Sequence, residues 1–334
     1  MSNLNELLTE AINNNTVREF FETNLRNKTI TEICSLTERT FPVINTLVRN
    51  NDLSDVVSIA KPMQTNFKNE FIQFIDSLKI NYIKNTKISD VDVDIYISDK
   101  KIAINLNEVY YHTTLFKSNN FHYKQAKDCE VNGVRLIQIY DYEWSNPSIQ
   151  QKLKSLIAIA LGKTKTRIYA RDCEIRQISN AEAKPFNDAN HLQNHRPAQV
   201  TYGLYYNDEL QQLMSFSKTK YNRNLKSDNS WEIIRGCPGS NNIVVGGVSR
   251  LYKHFIKDYN PDFIFSYCDF NKFDGRGYEA IGMKFIDDTG PDMWYIINGS
   301  VVHRNPAKYK YNSTHAEARL YCAGSKKYLW SKNE

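Results

Sequence analysis

Val91-Asp-Val-Asp-Ile-Tyr-Ile97, the polar turn Ser98-Asp-Lys-Lys101 and Lys101-Ile-Ala-Ile-Asn-Leu-Asn107 read in succession as strand, turn and strand. The first run is β-branched and alternates with period two, so Asp92 and Asp94 fall on one face and the valines and isoleucines on the other. Asn105 and Asn107 share a face of the second run. Upstream, Asn66 to Leu78 sets Phe67, Phe71, Phe74 and Ile75 at helical spacing, with Glu70 near the edge of that stripe. Downstream, after a loop at 113–120, a helix runs through Cys129 to a stop at Gly133, and Arg135-Leu-Ile-Gln-Ile-Tyr140 supplies a third strand. Residues 149–161 close the unit as a helix, giving the order α-β-β-α-β-α.

Outside this unit the chain changes character twice. Residues 1–60 read as helical, with Ile30, Ile33 and Leu36 on one short helix and Val43, Ile44, Leu47 and Val48 on the next. Thr29 or Thr31 caps the first, and Pro42 sits in the opening turn of the second. Such a pair is either a helix-turn-helix, presenting Asn45, Arg49 and Asn50 to DNA, or a plain helical hairpin. From Thr166 onward, strands dominate, separated by loops rich in Asn, Lys and Tyr. Val200–Tyr205 and Gln212–Phe216 are expected as neighbours across the Asn207-Asp208 turn. A helix follows Val245-Gly-Gly-Val-Ser-Arg-Leu251, and Phe263–Tyr267 and Met293–Ile297 read as further strands.

The first unit gathers groups able to do chemistry: Asp92 and Asp94, Glu108, His112, His122 and Lys124, and the strand exit Asp141-Tyr-Glu-Trp144. Metal-assisted phosphodiester cleavage needs hard oxygen ligands beside a base or acid, and adjacent strands can project them from one face. An exposed polar strand face is the better account of Asp92 and Asp94 by themselves; with His112, His122 and the acidic strand exit included, a metal site is the expectation.

Residues 66–144 resemble the phage homing endonucleases related to the very-short-patch repair endonuclease, a branch of the PD-(D/E)xK superfamily. The likeness rests on Asn69-Glu-Phe71, Asp94-Ile-Tyr-Ile97, Ile102-Ala-Ile-Asn-Leu-Asn-Glu-Val-Tyr-Tyr-His112, His122-Tyr-Lys-Gln125, Cys129-Glu-Val-Asn-Gly-Val-Arg-Leu-Ile137 and Tyr140-Asp-Tyr-Glu-Trp144. The resemblance implies catalytic roles for Glu70, Asp94, His112 and His122. Position 105, Asn105 here, joins Asp94 and Glu70 as a ligand of Mg2+ (or Mn2+). The family places an acid where this chain has Asn105, and often Gly where it has Glu108. A compensated natural variant, an inactive relative and an inactivating substitution all account for that departure.

The C-terminal half resembles a GNAT-like acyltransferase fold, on Val245-Gly-Gly-Val-Ser-Arg-Leu251 and Tyr278-Glu-Ala-Ile-Gly-Met-Lys-Phe285. The resemblance implies that the Gly246-Gly247 turn at a helix N-terminus would face a coenzyme A pyrophosphate, although a scaffold role is the simpler expectation. His191 and His195 stand at i, i+4 without a third ligand at metal spacing. The ending Arg319-Leu-Tyr-Cys-Ala-Gly-Ser-Lys-Lys-Tyr-Leu-Trp330 is expected to form a β-hairpin.

Bulk properties set the frame. The 334 residues suit two or three domains. No apolar run approaches the ~20 residues of a membrane helix, and the N-terminus lacks a signal-peptide pattern. Six scattered cysteines without a CxxC pair argue against a disulfide framework. The charge of +6 is modest, but basic residues mix with aromatics at 163–176, 218–226 and 303–327, a pattern that suits phosphate contacts and base stacking and equally an ordinary solvated surface.

The expectation is therefore an α+β multidomain chain. Residues 1–62 form a helical, helix-turn-helix-like segment, and 63–163 a PD-(D/E)xK, very-short-patch-repair-like nuclease core. Residues 164–302 form a GNAT-like α/β domain, and 303–334 a basic tail. The expected activity is metal-dependent cleavage of double-stranded DNA. The expected DNA contacts are Asn45, Arg49, Lys124, Lys218, Lys220, Arg223, Lys308 and Lys310. The expected setting is the cytoplasm of a phage-infected bacterial host, as monomer or homodimer without a membrane partner. The alternatives are a GNAT-like DNA-modifying transferase and a non-catalytic DNA-binding protein.

Overall fold

A computed structural model describes residues 3–58, 66–164, 166–219, 227–240, 242–297, 299–304 and 316–332. Four helices open the chain: α1 (Leu4–Asn13), α2 (Val17–Asn24), α3 (Ile30–Thr37) and α4 (Phe41–Asn50). Thr29 caps α3 in a reciprocal box with Glu32, and Glu38 ends it in the left-handed region at φ 54°. Leu8, Phe21, Leu25, Ile30, Ile33, Ile44 and Val48 pack together beneath these helices. The same cluster takes in Val109, Leu115 and Tyr140 from the middle of the chain and Ile296, Ala318 and Leu320 from its end.

The middle of the chain runs α5 (Phe67–Ser77), β1 (Ile83–Ile88), β2 (Val91–Ile97), β3 (Ile102–Asn107), α6 (Val109–His112), α7 (Phe121–Val131), β4 (Arg135–Tyr140), α8 (Asp141–Trp144) and α9 (Pro147–Ala160). Its four-stranded sheet has the order β1-β2-β3-β4. Strands β1 to β3 are antiparallel, and β3 and β4 pair in parallel after the crossover through α7. Alternation sends Ile104, Leu106, Ile137 and Ile139 to one face, against Phe67, Phe71 and Ile75 of α5 and Leu153 and Ile157 of α9. Ala103 and Leu136 point the other way, against Ala126 and Cys129 of α7. The sequence reading misses β1. Its run Ile83-Lys-Asn-Thr-Lys-Ile88 is mostly exposed and forms the edge of the sheet, so it carries no buried apolar alternation.

The remainder comprises β5 (Thr166–Tyr169), β6 (Glu174–Gln177), α10 (Asn180–Asn190), β7 (Val200–Tyr206), β8 (Glu209–Lys218), β9 (Ser230–Pro238), β10 (Asn242–Val245), α11 (Gly247–Tyr259), β11 (Phe263–Asp269), α12 (Arg276–Glu279), β12 (Lys284–Asp288), β13 (Asp292–Ile297), β14 (Ser300–His303), β15 (Ala318–Cys322) and β16 (Ser325–Ser331). Seven strands form a sheet in the order β12-β16-β11-β9-β8-β7-β6. Strands β6 to β9 are an antiparallel meander. The turn between β7 and β8 has Asn207 and Asp208 at φ 50° and 61°, the conformation a two-residue hairpin demands. Helix α11 lays Leu251, Tyr252 and Phe255 on the sheet, with the Phe255 ring stacked on Phe216 at 3.7 Å. It returns the chain to β11, which lies parallel to β9.

The expected C-terminal hairpin does not form. Strand β15 pairs with β13 in a separate three-stranded sheet, and β16 pairs with β11 and β12. The crossing lies at Ala323 and Gly324, where Ala323 N donates to Asn271 Oδ1 and Phe270 N to Gly324 O. These bonds hold the turn against the β11 exit rather than against a hairpin partner.

A polar seam joins the two larger sheets. Lys272, 2% exposed, sets Nζ 2.8 Å from Glu143 Oε2 and also donates to Gln138 O. Gln138 N donates to Asn271 O. Asp288 receives both Lys127 Nζ at 2.9 Å and Tyr123 Oη at 3.1 Å.

Candidate functional site

Two cavities bear on function. The first, about 560 Å³, lies over β2 and β3 and is lined by Lys68, Asp92, Asp94, Asn105, Asn107, His112, Lys117 and Lys124, among others. The structure thus brings Asp94, Asn105, His112 and Lys124 to one hollow. Asp94 and Asn105 lock the two strands together. Asp94 Oδ2 accepts from Leu106 N at 2.7 Å, while Asn105 Oδ1 accepts from Asp94 N and its amide donates to Asp92 O, both at 3.3 Å. Lys68 Nζ stands 4.0 Å from Asp94 Oδ1. Glu70 is not brought to this hollow: its Oε2 accepts from the Trp144 indole at 3.2 Å. Among the described residues, no group of three or more His, Cys, Asp or Glu side chains is arranged to hold a metal ion.

His122 lies buried behind the wall of the hollow. Its Nδ1 contacts Gln138 Oε1, and its Nε2 is 3.3 Å from His112 Nδ1. Gln138 Nε2 donates to His122 O, which fixes Gln138 Oε1 as the acceptor. His122 Nδ1 therefore carries a hydrogen, His122 Nε2 accepts, and His112 Nδ1 donates. Burial pushes His112 down to about 3 and His122 down to about 4, so both rings are neutral near pH 7.

The other expected DNA contacts disperse. Asn45 is half-buried and Arg49 exposed on α4, and Lys218 is exposed at the end of β8. Lys220, Arg223, Lys308 and Lys310 lie outside the described residues. His191 and His195 do not converge. His191 Nδ1 accepts from Gln193 N, and His195 Nδ1 contacts Asn187 Nδ2.

The second cavity, about 520 Å³, opens between β9 and β11. These parallel strands pair only at Phe263↔Ser230, Ile264↔Trp231 and Phe265↔Glu232. Beyond those pairs they diverge, and Ile234 to Pro238 and Ser266 to Asp269 become the walls. Val248 at the start of α11 and Tyr278 of α12 line the same space. Gly246, φ 78°, occupies the N-cap position before helix α11 and supplies no side-chain cap, so the first N–H groups of the helix lack the usual side-chain acceptor. A Cβ at Gly247 would stand 2.1 Å from Gln212 Oε1, so glycine is required by this close approach. Ser266 Oγ donates to Tyr278 Oη at 3.0 Å, and burial pushes the phenol up to about 12. Sequence reasoning missed the cleft residues Arg135, Glu232, Arg235 and Ser266. They come from separate strands, and the only local signal was the Gly246-Gly247 turn.

No family model and no curated protein sequence matches the chain. Solved structures similar to it include a GNAT family acetyltransferase from Elizabethkingia anophelis with acetyl-CoA bound (12% identity, 48% of this chain and 98% of that one, TM-score 0.28). An IAA acetyltransferase from Bacillus cereus ATCC 14579 is similar over 48% of this chain and 99% of its own (12% identity, TM-score 0.31). A Bacillus anthracis str. Ames protein assigned as a streptothricin acetyltransferase, in complex with acetyl coenzyme A, gives 13% identity and TM-score 0.25. The match covers 41% of this chain and 65% of that one, under two thirds of its length.

The C-terminal half is a mixed α/β unit defined by this strand order and the diverging β9–β11 pair. The expected DNA endonuclease is corrected here. The solved structures similar to the chain are acetyltransferases, and Asp94 and Asn105, expected as metal ligands, are tied into the β2–β3 pair. The comparisons give no support to the PD-(D/E)xK assignment of the middle of the chain. Its ordered motifs account for a four-stranded sheet, and the Asp94 and Asn105 side chains serve as cross-strand ties within it. Among the described residues, no helix is long and apolar enough to cross a membrane.

Proposed function

We propose that the chain is a GNAT-like acyltransferase whose thioester donor, of the acyl-coenzyme A type, lies in the β9–β11 cleft. The observation that carries this reading is the divergence of the two parallel strands. It bares the inner edges of β9 and β11 beside the uncapped start of α11. An exposed strand edge offers N–H and C=O groups to an amide-bearing arm, and a helix N-terminus favours phosphate. Gly246, Gly247 and Val248 would hold the phosphates through backbone N–H groups. When bound, the donor supplies an activated acyl group.

The residues of the chain divide the proton work. Tyr278 takes its hydrogen bond from Ser266 as an acceptor, so its own proton is free for a departing thiolate. Held well above its ordinary range, the phenol stays protonated at neutral pH. Glu232, on the opposite wall, is the candidate base for the incoming nucleophile. His191 is pushed down to about 3 by burial, and its Nδ1 already accepts from Gln193 N. It presents a neutral imidazole with the hydrogen on Nε2.

Double-stranded DNA is the proposed macromolecular partner. The reading is supported by Asn45 and Arg49, one helical turn apart on α4, with Asn50 exposed beside them. Acetyl-CoA and CoA titrated into the full chain test the enzyme reading, and duplex DNA retardation at graded salt tests the partner. Absence of thioester binding at millimolar concentration sinks the first. Absence of salt-sensitive retardation sinks the second.

A further inference from the structure

The cleft between β9 and β11 contains guanidinium groups that make no direct ion pair with a carboxylate among the described residues. Arg135 reaches in from β4 of the neighbouring sheet. Its Nε and Nη2 both donate to Lys272 O, Nε at 2.8 Å, and its plane lies 5.2 Å from the Phe273 ring. Arg235, on β9, spends its donors on the backbone oxygens of Ile234, Gln193 and Asn194. Neither makes an ion pair with a carboxylate among the described residues.

The acids lining the same cavity are engaged elsewhere. Asp269 Oδ1 accepts from Asn271 N and Nδ2. Asp274 is the acid whose field reaches Arg135, but it pairs with Arg276 at 2.6 Å. Glu232 is the acid whose field reaches Arg235, but it lies 3.8 Å from Arg196. Burial pulls both Arg135 and Arg235 below the ordinary guanidinium range, outweighing the fields of Asp274 and Glu232, as expected for cations sheltered from water without a directly paired carboxylate. Sheltering a charge is costly unless it is paired, and carbonyl oxygens compensate only part of that cost. Each guanidinium is nevertheless held in orientation by those carbonyls, an arrangement prepared for a planar or tetrahedral anion.

We propose that this cleft takes a small anionic ligand, one bearing a carboxylate or phosphate group, held by Arg135 and Arg235. The inference rests on the acyltransferase reading only for the role of that ligand. The anion is either a group of the acceptor molecule or a phosphate of the donor, and both present the same chemistry to the arginines. Because Arg135 belongs to β4, the cleft is complete only with the central sheet docked beside it.

The test is calorimetric binding of inorganic phosphate, succinate, acetyl-CoA and 3′-dephospho-CoA to the full chain and to R135Q, R135K and R235Q. Circular dichroism and melting temperature establish that each variant is folded. Loss of one charged hydrogen-bonding partner is expected to weaken anion binding about tenfold to a hundredfold in R135Q and R235Q. R135K is expected to recover part of the loss. If phosphate and succinate weaken while acetyl-CoA is unaffected, the anion belongs to the acceptor and the proposal stands. If acetyl-CoA weakens but 3′-dephospho-CoA does not, it stands with the donor's phosphate as the anion. Anion binding without any coenzyme A binding supports the site and removes the acyltransferase reading. Equal anion affinity in all folded variants, or no anion binding by the unaltered chain, overturns the proposal whether or not acetyl-CoA binds.

Discussion

Lys272→Met removes one member of a pair sheltered at the seam between the central sheet and the cleft. Lys272 is 2% exposed and Glu143 15% exposed, with 2.8 Å between charged atoms. The ammonium also donates to Gln138 O and stands 5.5 Å from the Tyr140 ring. Glu143 keeps one further bond, from Tyr140 N at 3.0 Å, so the substitution strands a carboxylate with a single backbone donor. Breaking such a pair from one side costs about 3–5 kcal/mol. At about 2 °C per kcal/mol for a chain of this size, the melting temperature should fall by roughly 6–10 °C. The assay is thermal unfolding followed by tryptophan fluorescence, with Trp144 beside the seam. E143Q should cost less, because the amide retains an acceptor oxygen. The double variant should lose less than the sum of the two singles, the signature of direct coupling. A fall below about 2 °C in K272M, or strictly additive losses, would refute the claim that this pair fastens the two sheets.

Other outcomes follow from the same geometry. Tyr278→Phe, which removes the proposed proton donor, should lower acetyl transfer about a hundredfold or more while leaving acetyl-CoA affinity within twofold; steady-state and binding measurements separate the two. The low pKa values of His112, His122 and His191 mean that the unfolded chain binds more protons than the folded one between about pH 3 and pH 6.5. Their contribution to stability is therefore complete above about pH 6.5 and is lost progressively as pH falls toward 3. Imidazole proton shifts that titrate near 6.5 at these three sites would contradict it. Gly275→Ala should lower stability by about 1–3 kcal/mol or more, because φ is +90° and the added Cβ would stand 1.7 Å from Tyr328 Oη; a neutral result by denaturant titration would show that Tyr328 relaxes.

Much of the chain's architecture was legible where burial imposes a period. The strands β2, β3 and β4, the helices α5 and α7 and the β7–β8 hairpin all alternate as their positions require. Edge strand β1 was not legible, because an exposed edge needs no apolar face. The C-terminal turn misled for a different reason. Ala323-Gly324 is a good hairpin turn locally, but contacts to Asn271 and Phe270, some 50 residues earlier, direct it between two sheets. The site showed the sharpest gap. Asp94, Asn105 and His112 did converge, yet their chemistry cannot be read from type and spacing alone, since the first two tie β2 to β3. Arg135, Glu232, Arg235 and Tyr278 line one cavity where β9 and β11 separate, a tertiary event that the Gly246-Gly247 turn and the Tyr278 motif hint at but that no local pattern places at the two arginines.

The most direct test of the central claim is calorimetric titration of acetyl-CoA into the full-length chain. The account predicts saturable one-to-one binding below millimolar concentration. At a hundredfold excess over Kd, it predicts stabilisation of about 2.7 kcal/mol, or a melting rise near 5 °C. A folded chain that takes up neither acetyl-CoA nor CoA at millimolar concentration would contradict it.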